Sequence, residues 1–524
     1  MINKPAGMNT HAPSPYAGEG IYDWLRNREP RWGSLAIIHR LDKETSGVMV
    51  FAKTPEANRS LTRQFTERGV KKTYTLLTDR PVEKSEFVVK STLVRAGERY
   101  VSRPRHAGGV LAETRFRVVG REGRITRLQA EPVTGRTHQI RVHAADAGIP
   151  IVGDALYGSG QKSEHTVRNL SRRIRLCLHA EVLELEHPKT RERMRFVVAA
   201  DFESDTGRDL RQAILDPSET TGWREVHGAS DGWAGWYVDR LGDFLLSQSE
   251  SEVSEEQRQL LEALGARGTY YKVLARNVRK KDAREASPRL AFGEAAPERF
   301  TILENGLKYE VSFAEGYSVG LFLDQRDNRR RLLMNYVAGG FPLYEAELRG
   351  TEVLNAFAYT CGFSVCAAKA GARVTSLDLS KKYLDWGRRN FELNGLDVSS
   401  HDFIYGDTFE WLRRLAKKGR SYDVILLDPP TFSQSKQHGV FRAEKDYGKL
   451  VKAALPVLKP DGVLFASTNA GAWAPEDFLG SVREAVRWRH RRVKQEYYAP
   501  QPPDFPITRD EPAYLKTVWL RISG

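Results

Sequence analysis

Apolar and polar positions switch repeatedly between strand and helix periods along the chain. Apolar runs at residues 35–38 and 48–51 read as strands around a polar bend closed by Gly47. A short helical patch is expected at 21–26, a helix at 56–66, an alternating strand at 71–77, and β-rich structure to about 128. Polar composition after Asp201 and a turn-rich stretch at 216–221 mark a linker; two short strands with glycine turns (226–244) and a helix (255–264) follow. From 353 the order is strand (353–358), helix (363–370), strand (374–378), with later strands ending at Asp407 and Asp428. That alternation predicts a parallel sheet with ligands at the carboxyl ends of its strands. Three folding units are expected, at 1–200, 201–310 and 311–524.

Charge changes this picture. A formal charge of +14 and a pI near 9.5 suit a polyanionic partner, most commonly nucleic acid. No apolar run is long enough to cross a bilayer and the N-terminus lacks a secretory signal, so a cytoplasmic location is expected, with no membrane and no evident protein partner. Cys177, Cys361 and Cys366 form no Cys-x-x-Cys pair, which argues against a disulfide framework and against a metal site.

The bend His39-Arg40-Leu41-Asp42-Lys43 gathers four chemically capable side chains, and either a site or a solvated turn fits it. Arg136, His138, Arg141 and His143 crowd residues 135–143, which reads as an anion-facing surface or as a cationic amphipathic helix. With Lys4-Pro5-Ala6-Gly7, Lys72-Thr73-Tyr74, Gly135-Arg136-Thr137-His138-Gln139-Ile140-Arg141 and Gly153-Asp154-Ala155-Leu156-Tyr157-Gly158 in order, the first 200 residues resemble the RluA-type pseudouridine synthases. The resemblance implies an α+β mixed-sheet domain that needs no cofactor. Asp42 would be the catalytic aspartate, Arg141 its partner, Tyr74 the platform for the target uracil, and Arg40, Arg136 and His138 the contacts to the nucleotide. The chemistry agrees: isomerising uridine needs an ionised carboxylate as nucleophile or base, and the base must leave its stack to reach it. The chain begins almost on the Lys4-Pro5 motif and shows no preceding S4-like RNA-binding domain.

Residues 226–244 resemble the small α+β central domain of RlmI-type rRNA methyltransferases, with Trp233, Trp236 and Tyr237 expected in its core rather than against RNA. Beyond it, Gly320-Leu321-Phe322-Leu323-Asp324-Gln325-Arg326, the 355–362 loop, and Asp428-Pro429-Pro430-Thr431-Phe432-Ser433-Gln434-Ser435-Lys436 resemble class I S-adenosylmethionine-dependent 23S rRNA methyltransferases. Their fold is α/β and Rossmann-like, and the last motif is nearest the RlmK type. This implies S-adenosylmethionine as cofactor, held by Asn355, Phe357, Tyr359, Thr360, Gly362, Asp378, Asp407 and Asp428. Asp428, Pro429 and Pro430 would carry the reaction, with Phe432 and Asn469 at the target base. Methylating carbon-5 of cytosine requires a cysteine nucleophile, and neither the 428–432 stretch nor 463–470 contains one, whereas guanine N7 brings its own lone pair. The expected function is therefore a double modification of 23S rRNA: pseudouridine formation and N7 methylation of guanine. Cytosine-5 or exocyclic-amine methylation, and an RNA-binding ribosome assembly factor with vestigial sites, stay open.

Overall fold

The computed structural model describes residues 1–104, 106, 108–158, 175–274, 287–316, 318–344, 350–435 and 439–524. The chain forms two compact units, one of residues 1–12, 20–23 and 34–214, the other of 13–19, 24–33 and 215–524.

The first unit is built on a nine-stranded mixed sheet. Its main path runs Ile2–Lys4, Ser46–Met49, Leu178–Glu186, Lys71–Thr78, Ile125–Pro132, Val110–Glu122, Glu86–Ala96, Arg99–Arg103, with Arg193–Val197 branching from Leu178–Glu186. The predicted alternating strand is Lys71–Thr78 and the predicted helix is Pro55–Thr66, capped by Thr54 accepting from Ala57 N. Gly47 (φ +119) permits the parallel pairing of Ser46–Met49 with Leu178–Glu186, because a Cβ there would lie 2.3 Å from Ala180 O. The 135–143 stretch does become helical, as Gln139–Asp146, but Arg141 and His143 are buried, so the cationic face is turned inward rather than solvated.

The second unit centres on a seven-stranded sheet in the order Asp402–Tyr405, Arg373–Asp378, Glu352–Ala356, Tyr422–Leu427, Leu458–Thr468, Lys516–Ile522, Val493–Ala499. The first five strands are parallel and the last two join antiparallel. Both faces are covered. Val353, Val424, Leu426 and Phe465 enter one core, and their neighbours Leu354, Ile425, Leu427 and Leu464 enter the other. Chain order reverses between Glu352–Ala356 and Tyr422–Leu427, the switch point at which doubly wound sheets bind ligands. A five-stranded sheet (Gly222–His227, Trp236–Leu241, Phe244–Ser249, Gly268–Val273, Arg289–Gly293) precedes it. Trp233 and Trp236 are buried there, as expected of core residues, whereas Tyr237 is only half-buried, its hydroxyl donating to Glu511 Oε1 at 2.8 Å.

Residues 13–19 and 24–33 fold with this unit. Arg28 Nη1 meets Asp327 Oδ1 at 2.8 Å, Glu29 pairs with Arg330, and Asn27 Nδ2 donates to Tyr497 OH at 2.9 Å. None of the described helices is long and apolar enough to cross a membrane.

Candidate active sites

Asp42 sits in a bend whose backbone is tied down on both sides. Thr10 Oγ1 donates to Leu41 O (2.8 Å) and accepts from Leu41 N (3.1 Å). Lys43 O receives Gly7 N (2.9 Å) and Lys4 Nζ (3.1 Å), and Lys4 also donates to Pro5 O (2.8 Å) and Met8 O (2.7 Å). The Lys4-Pro5-Ala6-Gly7 motif is thus a brace for the Asp42 bend. Its ammonium is fully buried, and that burial pushes its pKa down to about 7.

The structure brings Asp42, Arg141 and His138 together: Asp42 Oδ2 lies 3.6 Å from Arg141 Nη1 and 3.9 Å from His138 Nε2. Tyr74 packs beside Leu41 and Met49. Burial and then the Asp42 charge hold its phenol protonated, well above the usual range. Arg141 binds a second carboxylate more tightly than Asp42, as Nε and Nη2 donate to Asp154 at 2.8 and 2.7 Å. Burial alone would lower the pKa of Arg141, but the hydrogen bonds and charge of Asp154 outweigh it and the net shift is upward. Arg40 and Arg136 remain exposed, with Arg136 Nε donating to Leu111 O at 3.3 Å. His39 turns away from the bend: it accepts from Val50 N (3.1 Å) and stacks on Phe65 at 4.8 Å.

In the second unit a cavity of about 930 Å³ opens at the carboxyl ends of the parallel strands. The loop entering it from Glu352–Ala356 places Phe357 (φ 63), Tyr359 (φ 49) and Cys361 (φ 64) alternately in the left-handed region. Each costs about 1–2 kcal/mol for a non-glycine residue. The surroundings hold the loop there: Tyr359 N donates to Asp378 Oδ2 (2.8 Å), Asn390 Nδ2 to Thr360 O (2.9 Å), and Gly320 N to Tyr359 OH (3.0 Å). Phe357, Tyr359, Thr360 and Gly362 line the cavity; Asn355 does not, being buried beneath it and donating to Ser364 Oγ at 2.8 Å.

Asp378, Asp407 and Asp428 line the cavity as well. Asp378 Oδ1 accepts from Ser380 N, and burial raises its pKa. Asp407 Oδ1 also caps the helix Thr408–Lys417, accepting from Glu410 N at 3.1 Å. Asp428 accepts from Gln325 Nε2 (3.2 Å), which donates to Ser467 Oγ (2.8 Å) too. Burial pushes the Asp428 carboxyl up to about 6, against the opposing hydrogen bond from Ser467. Pro429, Pro430 and Asn469 join the lining, and Thr431 Oγ1 donates to Asn469 Oδ1 at 3.1 Å. Phe432 is not among the lining residues, and Lys436 lies outside the described residues. A cavity of this size, with acids ending its second and third strand–helix turns, fits a nucleoside ligand.

Residues 234–521 match the family described as S-adenosylmethionine-dependent methyltransferase, over more than half of the chain. The chain belongs to that family. Residues 1–146 match the family described as RNA pseudouridylate synthase, so a pseudouridine synthase domain precedes the methyltransferase. A ribosomal RNA large subunit methyltransferase of Deinococcus radiodurans is 34% identical over 61% of this chain and 78% of its own length. Ribosomal RNA large subunit methyltransferase I of Aeromonas hydrophila is 32% identical over 76% of this chain and 93% of its own. A methyltransferase solved as a complex with SAH shares 30% identity at a TM-score of 0.52, covering 60% of this chain and 79% of that one. The methyl donor is S-adenosylmethionine.

Sequence reasoning did not assign Asp154, Gln325, Tyr157, whose hydroxyl lies 2.8 Å from His138 Nδ1, or Asp324, which also lines the cavity. All four stand in motifs quoted above for their resemblance, so the signal was present but carried no stated chemistry.

Proposed function

We propose that the chain modifies large-subunit ribosomal RNA twice, isomerising a uridine in its first unit and methylating guanine N7 in its second. The relatives' names supply the RNA, and the formal charge of +14 suits it. Asp42 supplies the carboxylate that opens the glycosidic bond, Arg141 stabilises its charge, Tyr74 stacks on the flipped uracil, and Arg40, Arg136 and His138 hold the nucleotide.

One observation carries the choice of N7. All three cysteines are buried, none lines the methyltransferase cavity, and burial pushes their thiols up to about 11 (Cys177) and about 12 (Cys361 and Cys366). Carbon-5 methylation of cytosine needs a thiolate against the ring, and no residue here can provide it. S-adenosylmethionine supplies an electrophilic methyl group when bound. The left-handed 357–361 loop, Asp378 and Asp407 hold it, Asn355 supports that loop from below, and Asp428 to Pro430 border the methyl position. Asn469, with Phe432 nearby, orients the base, which needs only to present N7 in line. Residues 201–310 serve as a packing module in this reading: Trp236 Nε1 donates to Ser247 Oγ at 2.8 Å, and its ring meets Trp233 edge-on at 4.9 Å.

Mass-spectrometric mapping of rRNA from a strain lacking the protein tests both halves. Loss of one 7-methylguanosine and at least one pseudouridine is expected. Loss of 5-methylcytidine with all 7-methylguanosine intact would refute the N7 assignment, and an unchanged pseudouridine map would refute the first.

A further inference from the structure

The Gly153-Asp154-Ala155-Leu156-Tyr157-Gly158 turn holds more than an arginine clamp. Asp154 Oδ1 accepts from Leu156 N (2.9 Å) and Tyr157 N (3.0 Å) while binding Arg141, so one buried carboxylate fixes both Arg141 and the Tyr157 backbone. The Tyr157 hydroxyl receives the Tyr100 backbone N–H at 2.9 Å. Its own proton is available to a second partner, and His138 Nδ1 lies at 2.8 Å, a contact in which the ring nitrogen accepts in one tautomer and donates in the other. A neutral imidazole whose Nδ1 accepts must carry its proton on Nε2. That nitrogen faces the reaction centre, 3.9 Å from Asp42 Oδ2.

Three further observations agree. His138 takes a left-handed backbone (φ 57) at the start of its helix and makes no side-chain cap, so its ring is released from the usual duty of that position. Tyr100 and Tyr157 each meet the ring edge-on at 5.6 Å, which fixes its plane. Burial outweighs the Asp42 charge and lowers the pKa of His138, which favours the neutral ring.

We propose that Tyr157 is a positioning residue that locks His138 as its Nε2–H tautomer, and that this N–H donates to the uracil carbonyl oxygen that gains charge during isomerisation. The proposal rests on the pseudouridine reading of this site. When N1–C1′ breaks, its electron pair stays on the uracil and is shared with the ring oxygens. C5–C1′ then forms, the C5 hydrogen leaves as a proton, and N1 takes up a proton. His138 transfers none of these; it stabilises the charged ring between the two bond changes, as an oxyanion-hole donor does.

The test uses the full chain and an unmodified large-subunit rRNA transcript labelled with tritium at uridine C5, read as single-turnover tritium release. His138→Ala slows single-turnover release about a hundredfold, His138→Gln, which keeps an N–H near the Nε2 position, recovers part of it, and Tyr157→Phe, which leaves His138 in place, slows it about tenfold with RNA affinity unchanged. The ¹⁵N spectrum of the His138 ring provides a readout that a merely structural role would not move. Nδ1 is unprotonated in the wild type, and the two tautomers mix in Tyr157→Phe. Release by Tyr157→Phe at the wild-type rate, or an Nδ1–H signal in the wild type, overturns the proposal alone. No release from the wild type overturns the functional reading and the proposal with it.

Discussion

Replacing Asp428 with Asn should stabilise the second unit in a pH-dependent way. The carboxyl is raised from its ordinary 3.8 to about 6, with burial as the leading cause. Between those values the folded state holds a proton that the unfolded state has released, so this group's contribution to stability falls as pH rises through the window and is at its minimum above 6. The full difference is worth about 3 kcal/mol, of which about 2 falls between pH 4.5 and 7.5. Solvent in the open cavity screens the charge and reduces the observable effect to about 1–2 kcal/mol. An asparagine can still accept the Gln325 hydrogen bond but does not titrate, so the variant gains that amount over the wild type on going from pH 4.5 to 7.5. Tryptophan fluorescence is the natural assay, because all ten tryptophans, from Trp24 to Trp519, lie in the second unit. Urea unfolding at the two pH values gives the comparison. Parallel stability curves for wild type and variant would refute the reasoning, and methylation by the variant should be lost in either case.

Two further substitutions probe the first unit. Asp154→Asn leaves a buried guanidinium short of its counter-charge and should cost about 3 kcal/mol, seen as earlier loss of far-ultraviolet circular dichroism from that unit, together with slower pseudouridine formation. Lys4→Met removes the ammonium donor from Pro5 O and Met8 O (2.8 and 2.7 Å) and one of the two donors from Lys43 O, and should cost about 3 kcal/mol. Because the brace holds the Asp42 bend, the surviving folded protein should also isomerise uridine more slowly; full activity in a folded Lys4→Met chain would show that the brace does not position Asp42.

Local periodicity and spaced motifs made much of this legible in the sequence. The strand Lys71–Thr78, the helix Pro55–Thr66 and the βαβ order around Asp378 follow from apolar periods that burial on known faces enforces. Asp42 and Arg141, ninety-nine positions apart, could be joined only through the family resemblance, since periodicity is silent about such a meeting. The reading stopped where tertiary context decides. Nothing in a phenylalanine, a tyrosine and a cysteine announces three left-handed residues in five, a conformation imposed by Asp378, Asn390 and Gly320 from elsewhere in the fold. Asn355 illustrates the converse: it is the penultimate residue of the strand Glu352–Ala356 that leads to the cavity, yet its side chain is spent on Ser364. Of the cationic stretch at 135–143, Arg136 stays exposed, while Arg141 is buried facing the carboxylates of Asp154 and Asp42, partners that lie outside the stretch and that its own spacing could not name.

The chain passes through the second unit twice, at 13–19 and 24–33, before completing the first. No single peptide bond therefore separates the two enzymes. A fragment ending at 214 would carry Arg28 and Glu29 without Asp327 and Arg330, and the complementary fragment would lack the residues that neutralise those two side chains. The sequence segments of the two units are interleaved along one chain, and recovering either activity alone calls for point substitutions in one active site rather than for scissors.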